Sequence, residues 1–308
     1  MRFTIYQESR QGGRSNNEDR TTYCYSREAL LMVVADGMGG HHYGEIAAQI
    51  AVQTLADNFQ REARPTLVDP FRFLQKGMTN AHHAILDFAE RHKLSDTPRT
   101  TCVACLVQDN VAYWAHAGDS RLFLMRGGKV VAQTRDHSRI RILIEEGLLS
   151  EARAATHPDR NKIYSCLGSP TPPEIEFSRK TPLNHGDILL LCTDGLWGEI
   201  HGNAMAQALK GSNIVHTVPM LLSQAEAKGG QHVDNLSVVA VRWEETYLDE
   251  ASSSISTQTM ALDEIATHIE DFGRDPAHKT DLSESEIEQA IEEIRAAIDK
   301  FNPRKQGQ

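Results

Sequence analysis

Short blocks of apolar, β-branched residues alternate with longer stretches of helical periodicity over the first 243 positions. Strand-like runs lie at 2–8, 21–26, 30–35, 100–107, 111–117, 121–126, 129–134, 188–193 and 236–242, most of them bounded by Gly, Asp or Asn. The runs between 100 and 134 are joined by very short turns, Arg126-Gly127-Gly128-Lys129 among them. A parallel crossover takes on the order of a dozen residues, so these runs are expected to be antiparallel neighbours. In 44–60, Ile46, Ile50, Leu55 and Phe59 recur near helical spacing; in 70–92, Phe71, Leu74, Met78, Ile85, Leu86 and Ala89 do the same. Pro219 suits a first helical turn, so another helix is expected from there to about Ala227. Strand blocks with helices between them predict an α+β fold of antiparallel sheets covered by helices.

The pattern changes after Trp243. Residues 252–259, Ser-Ser-Ser-Ile-Ser-Thr-Gln-Thr, read as a linker. A short helix is expected at 262–272, with Leu262, Ile265, Ala266 and Ile269 on one face. A longer one is expected from Glu284 to Phe301, opened by a Ser283/Glu286 capping box. Its Ile287, Ile291, Ile294, Ile298 and Phe301 form a seam that needs a partner: the body, a second copy of the tail, or another protein. The expected organisation is a domain over 1–243 and an acidic linker and helical tail over 244–308.

Charge sharpens this division. Residues 1–243 carry 26 basic and 26 acidic side chains, whereas 244–308 carry 6 and 16, so the net charge of −10 lies in the tail. A neutral body with an acidic tail argues against nucleic-acid binding, which needs a basic surface. The longest purely apolar run, Ala29–Ala35, has seven residues. A membrane span needs ~20, so no membrane partner is expected. Five Cys in 308 residues make no disulfide framework, and a reduced, cytoplasmic protein is the simplest reading. Cys102 and Cys105 form a Cys-x-x-Cys, but in a strand they face opposite sides and read as core residues.

The candidate chemistry lies in acids at strand mouths. Asp36 ends the run Leu30–Ala35, Asp194 follows Ile188–Thr193, and Asp119 follows Ala115-His116-Ala117-Gly118. Asp234 opens the strand Leu236–Val241, and Glu18 and Asp19 precede that at 21–26. Three of these acids adjoin a Gly, expected to let the backbone approach a ligand. If the strands are neighbours the carboxylates converge and repel, and hard divalent cations relieve that repulsion. All-oxygen ligands favour Mg²⁺ or Mn²⁺ over Zn²⁺. The chain has no Gly-x-Ser-x-Gly elbow, no His-Glu-x-x-His and no phosphate-binding Gly-x-x-x-x-Gly-Lys-Ser/Thr loop.

In order, Arg14-Ser15-Asn16-Asn17-Glu18-Asp19, Ala35-Asp36-Gly37-Met38-Gly39-Gly40-His41, Gly118-Asp119-Ser120-Arg121, Asp194-Gly195-Leu196-Trp197 and Asp234-Asn235-Leu236-Ser237 resemble the motifs of the metal-dependent protein phosphatases, the PPM or type 2C family. Asp136-His137-Ser138, Glu145-Glu146-Gly147, His157-Pro158 and Leu167-Gly168 resemble its bacterial branch. The resemblance covers about residues 1–243. It implies a four-layer α-β-β-α sandwich and hydrolysis of phosphoserine and phosphothreonine by a metal-bridging hydroxide. It implies two Mn²⁺ or Mg²⁺ ions: Asp36 bridging them, Glu18 and the Gly37 carbonyl on one, Asp194 and Asp234 on the other. Asp119 with Asp194 matches a third-metal position, Asp19 would hydrogen-bond metal-bound water, and Arg14 would hold the substrate phosphate. Phosphorylated proteins are the implied partners, with a serine/threonine kinase opposing.

One departure stands out. Met38 occupies the position where eukaryotic relatives carry a His thought to protonate the leaving oxygen, and neither His41 nor His42 is assigned that role. Residues 138–165 are expected to form a flap beside the site, with Ile140, Leu143, Ile144 and Leu148 on one helix face. Arg139, Arg141, Arg153 and Arg160 would add positive charge to it. The alternatives are a catalytically weak phosphoprotein-binding scaffold and a phosphatase for small metabolites; fold does not separate them.

Overall fold

The computed structural model describes residues 1–38, 43–150, 153, 157–159, 162–244, 256–259 and 268–271. The expected Glu284–Phe301 helix, its capping box and its seam lie outside them. One sheet contains, in spatial order, β13 (His268–Asp271), β1 (Phe3–Arg10), β11 (Leu236–Trp243), β10 (Ile188–Cys192), β6 (Arg121–Arg126) and β7 (Lys129–Gln133). The other runs β12 (Ser256–Thr259), β2 (Asp19–Tyr25), β3 (Ala29–Asp36), β4 (Cys102–Gln108), β5 (Val111–Ala117) and β8 (Glu176–Phe177), with β9 (Thr181–Pro182) also on β5. Every pairing is antiparallel.

Three apolar clusters stack these elements into four layers. Phe3, Ile5, Leu30, Met32, Leu124 and Leu191 belong to the cluster between the sheets. Leu31, Val33 and Ala104, on the other face of β3 and β4, pack against α1 (Gly44–Glu62) and α2 (Pro70–Arg91). Leu190 and Val238 pack against α5 (Gly202–Leu209) and α6 (Ile214–Gly229). Continuous apolar runs such as Leu30-Leu31-Met32-Val33-Val34 arise because β3 is covered on both faces. Cys102 and Cys105 are buried in different clusters, on opposite sides of β4, as the strand period requires. Burial pushes the Cys102 thiol up to about 12 and Cys105 higher still, so neither supplies a thiolate near neutral pH.

Several expectations need correction. β5 and β6 are not neighbours: the three residues between them carry the chain from one sheet to the other, with Gly118 at φ +108°. A turn can change sheets as well as reverse within one, and turn length alone does not distinguish the two. The helix expected from Pro219 starts at Ile214, where the Asn213 side chain accepts from Val215 N, and Pro219 lies inside it. Asn213 is the stronger start signal because it satisfies a free N–H, whereas Pro only tolerates the position. Leu148 is exposed and lies beyond the short flap helix α3 (Arg139–Glu145), which buries only Ile140.

The linker at 252–259 and the helix at 262–272 each contain a strand, β12 on β2 and β13 on β1. Short isolated helices are marginal, whereas a sheet edge offers a row of unpaired backbone groups.

Two-sided burial of β3 has a direct consequence. Leu30→Ala and Leu31→Ala, at adjacent positions facing opposite clusters, should each cost about 2–5 kcal/mol in chemical denaturation. A sheet open to water on one face would show that loss at only one of them.

Candidate active site

The acids gather because the strands that end in them are adjacent. Asp19 opens β2 and Asp36 closes β3, and the two are directly opposite in the ladder. Asp194 is the first residue of α4 (Asp194–Trp197), separated from β10 only by Thr193. Asp234 precedes β11, which pairs with β10, and Asp119 lies on the crossing from β5 to β6. Thus the two sheets contribute their acids at one end of the sandwich.

The electrostatics record this convergence. Burial, and then the charges of Asp19, Asp194, Asp119 and Asp234, hold the Asp36 carboxyl well above the usual carboxylate range. Asp119 is raised well above that range by burial and by Asp194 and Asp136. Burial, followed by neighbouring acids, brings Asp19 and Asp194 to about 7. Glu18 is raised as well, by burial first and then by Glu45. Glu18 Oε2, Asp19 Oδ1 and Asp194 Oδ1 are buried without a hydrogen-bond partner among the described residues. Desolvated, mutually repelling oxygens with open lone pairs fit hard divalent cations, and no nitrogen or sulfur ligand competes within the set.

Cation charge at the rim comes from Arg14. Its Nη2 lies 2.5 Å from Asp234 Oδ2, and the side chain is about half exposed (56%). Asp234, Asp194 and Asp36 all raise the Arg14 pKa, so the guanidinium faces the same cluster. Met38 N donates to Arg99 O, which anchors the turn after Gly37. His41 and His42 lie outside the described residues. The flap arginines are partly neutralised: Arg141 pairs with Glu145 at 2.8 Å, and Arg139 lies 3.9 Å from Asp159.

The glycines act differently from the sequence reading. A side chain on Gly37 would meet the Gly44 backbone at 2.4 Å, one on Gly195 the Asn235 carbonyl at 2.1 Å, and one on Gly118 the Thr101 side chain at 2.6 Å. They let the protein's own segments close on one another and bring the acids together. Gly44 belongs to this set, because a side chain there would meet Glu18 Oε2 at 2.4 Å. Its place at a helix start gave no sign of this in the sequence.

Three polar supports were also missed. Thr193 Oγ1 donates to Asp19 Oδ2 at 2.8 Å and accepts from Ser237 N at 3.0 Å, tying β2, β10 and β11 together. Asn235 Oδ1 accepts from Glu18 N, while its Nδ2 donates to the Gln11 and Asn16 carbonyls. Thr101 Oγ1 accepts from Asp36 N and pairs with Ser120 Oγ. A hydroxyl ending an apolar run is the one signal that could have identified Thr193.

Known proteins resemble this chain in sequence and fold. The family described as Protein phosphatase 2C matches residues 7–233. The serine/threonine phosphatase stp of Listeria innocua is 30% identical over 231 residues, spanning 74% of this chain and 90% of the relative. The structure of the S. agalactiae serine/threonine phosphatase superposes with a TM-score of 0.71 at 28% identity, covering 78% of this chain and 99% of that one. The catalytic domain of the serine threonine protein phosphatase PstP, solved with 2 manganese ions, gives 0.66 at 28% identity, with 79% of this chain and 100% of that one covered. Because the family's pattern extends over residues 7–233, most of the chain, and a relative is 30% identical across 90% of its own length, the chain belongs to the protein phosphatase 2C family.

Proposed function

We propose that this chain is a metal-dependent protein serine/threonine phosphatase whose catalytic domain is residues 1–243. The observation that carries the reading is the convergence of Asp36, Asp19, Asp119, Asp194 and Asp234, each close enough to act on the ionisation of another. In this assignment Asp36, Glu18, the Gly37 carbonyl, Asp194 and Asp234 would hold two Mn²⁺ or Mg²⁺ ions, with Asp36 shared, and Asp119 with Asp194 would offer a third position. Bound there, divalent cations supply water activated near neutral pH and a clamp on the phosphoryl oxygens.

The chain's own groups do the positioning. Thr193 holds one Asp19 oxygen and leaves Oδ1 to orient water at the edge of the cluster. Arg14 presents a planar fork whose geometry matches two phosphate oxygens, which a Lys point charge does not. Met38 has no proton to give, so the leaving oxygen is protonated by water or another group. A scaffold without catalysis has no use for unpartnered buried carboxylates, which favours the enzyme. The substrates are phosphorylated proteins modified by an opposing serine/threonine kinase. Beyond the two segments that pair with β1 and β2, the tail 244–308 serves as a docking or self-associating element. Cytoplasmic residence accords with five free, buried thiols. Among the described residues no helix is long and apolar enough to cross a membrane.

Hydrolysis of phosphopeptides and of a chromogenic phosphate ester should depend on added Mn²⁺ or Mg²⁺. Asp36→Asn should lower turnover by roughly 10³-fold or more, the scale of losing a dominant electrostatic contributor. Full turnover in excess chelator would falsify the assignment.

Arg14→Ala should raise KM for phosphate esters more than it lowers kcat. Substrate and transition state share that contact, so most of its effect is uniform binding. Steady-state kinetics that leave both parameters unchanged would take Arg14 out of the site.

The raised carboxylates set a pH dependence. Asp19 rises from 3.8 to about 7 on folding, and Asp194 does the same. Between those values the folded, cation-free protein binds more protons than the unfolded chain, so its stability falls as pH rises through that window. Mg²⁺ takes the place of those protons, so the Tm gain on adding it should be larger at pH 8 than at pH 5. Thermal unfolding at the two pH values reads this out, and a larger gain at pH 5 would contradict the carboxylate shifts.

A further inference from the structure

Away from the carboxylate cluster, a second set of metal-ligating side chains meets where β5, β8 and the segment after β7 come together. His116 of β5 stands directly opposite Glu176 of β8 in the ladder. The His137 ring lies 4.7 Å from that of His116, and His137 Nε2 lies 3.7 Å from Glu176 Oε2. One ligand atom from each of the three residues falls within 4.8 Å of the other two.

The hydrogen bonds show which nitrogens are open. His116 Nε2 is 2.5 Å from the Arg135 carbonyl, which can only accept, so the proton is on Nε2 and Nδ1 carries the lone pair. His137 Nδ1 accepts from Gly118 N at 3.3 Å. The remaining atoms, His116 Nδ1 and His137 Nε2, are buried without a partner among the described residues. Both residues are almost inaccessible, at 2% and 1% exposure. Neither nitrogen has a partner within normal hydrogen-bond distance: His137 Nε2 carries its proton toward Glu176 Oε2 at 3.7 Å, and His116 Nδ1 is open, an uncommon state for buried polar atoms. Burial also lowers the pKa of both rings, which keeps them neutral and able to ligate.

We infer that His116, His137 and Glu176 form a second metal site, sharing no ligand with the carboxylate cluster, that binds one transition cation of the Zn²⁺ class. Two imidazole nitrogens and one carboxylate oxygen are a ligand set that suits Zn²⁺ and leaves a fourth position for water. The preference is opposite to that of the all-oxygen cluster, because nitrogen ligands select zinc over magnesium. The Arg135 carbonyl fixes the His116 tautomer from behind, the support that metal-bound histidines usually have.

Binding needs small adjustments that the geometry allows. Glu176 has a half-exposed side chain (46%) on a strand of two residues, so it is free to swing inward and gives the ion a route from solvent. His137 must move its proton from Nε2 to Nδ1, giving up the long contact with Gly118. Tyr164 stacks on its outer face at 5.4 Å and holds the ring in place. The bound ion would cross-link β8 to β5 and to the base of the flap.

The test uses the full chain in excess Mg²⁺, which fills the oxygen positions, and Co²⁺ as a visible-absorption probe. Four-coordinate nitrogen-bound Co²⁺ absorbs far more strongly than oxygen-bound six-coordinate Co²⁺. One equivalent should give intense bands that Zn²⁺ abolishes. Glu176→Gln and His116→Gln should each weaken binding by at least about tenfold, and Asp36→Asn should leave it intact. Glu176 is exposed enough that its variant should fold, and its circular dichroism and Mg²⁺-dependent activity confirm that independently of Co²⁺. Absence of the bands, bands that survive Glu176→Gln unchanged, or bands lost in Asp36→Asn would each overturn the site.

Discussion

Repulsion among carboxylates brought together at one end of the sandwich is the constraint on which the rest of the structure depends. Asp19 and Asp36 are cross-strand partners, and like charges in that position destabilise a sheet. Asp119, Asp194 and Asp234 add to the repulsion instead of relieving it. Among the described residues Arg14 is the cation whose ion pair reaches this set, and it is on the surface. The fold must therefore be stable enough elsewhere to hold the acids in place. Both faces of β3 and β4 are sealed by apolar clusters, so the strands that carry or neighbour these acids belong to the most deeply buried part of the molecule.

Holding charges together also requires the backbone to close up. Gly37 against Gly44, and Gly195 against Asn235, are contacts that any side chain would prevent. Hydroxyl and amide groups then join the segments: Thr193 links three strands through two hydrogen bonds, and Asn235 joins Glu18 to the loop before it. These groups carry no charge, so they fix the acids without neutralising them. An arginine or lysine in the same places would have paired with the carboxylates and occupied the lone pairs that a cation needs.

What the sequence revealed follows from the range over which each signal acts. The strands were legible because their apolar runs are local, and the acids because each adjoins such a run. Sheet membership was not legible: Gly118-Asp119-Ser120 is as short as a hairpin turn but carries the chain between sheets, and only packing decides that. Pro219 misled because its first-turn preference is only a tendency: it lies inside the helix, where its missing N–H and its ring cost stability, while Asn213 carried the start. Gly44 and Thr193 were missed because their importance lies in partners such as Glu18 and Asp19, distant in sequence. His116, His137 and Glu176 come from three separate segments with no common spacing, so no motif could have joined them.

The crossing after β5 links the two clusters. Asp119 lies within it and faces the carboxylates, whereas His116, three residues earlier, shares the inter-sheet side of β5 with Ala112 and Trp114. His137 makes a backbone pair with Gly118, its N–H donating to the Gly118 carbonyl at 3.0 Å, and follows Asp136, which binds Arg121 through both oxygens. The same short segment thus sets the position of Asp119 and of the imidazoles. Charge keeps the clusters chemically apart. Five converging acids offer only oxygen, which suits hard divalent ions, while two neutral rings and one acid suit an ion that gains from nitrogen. Donor type therefore biases the two clusters toward different ions: imidazole nitrogen favours the zinc class, whereas a site made only of carboxylate and carbonyl oxygens suits magnesium or manganese.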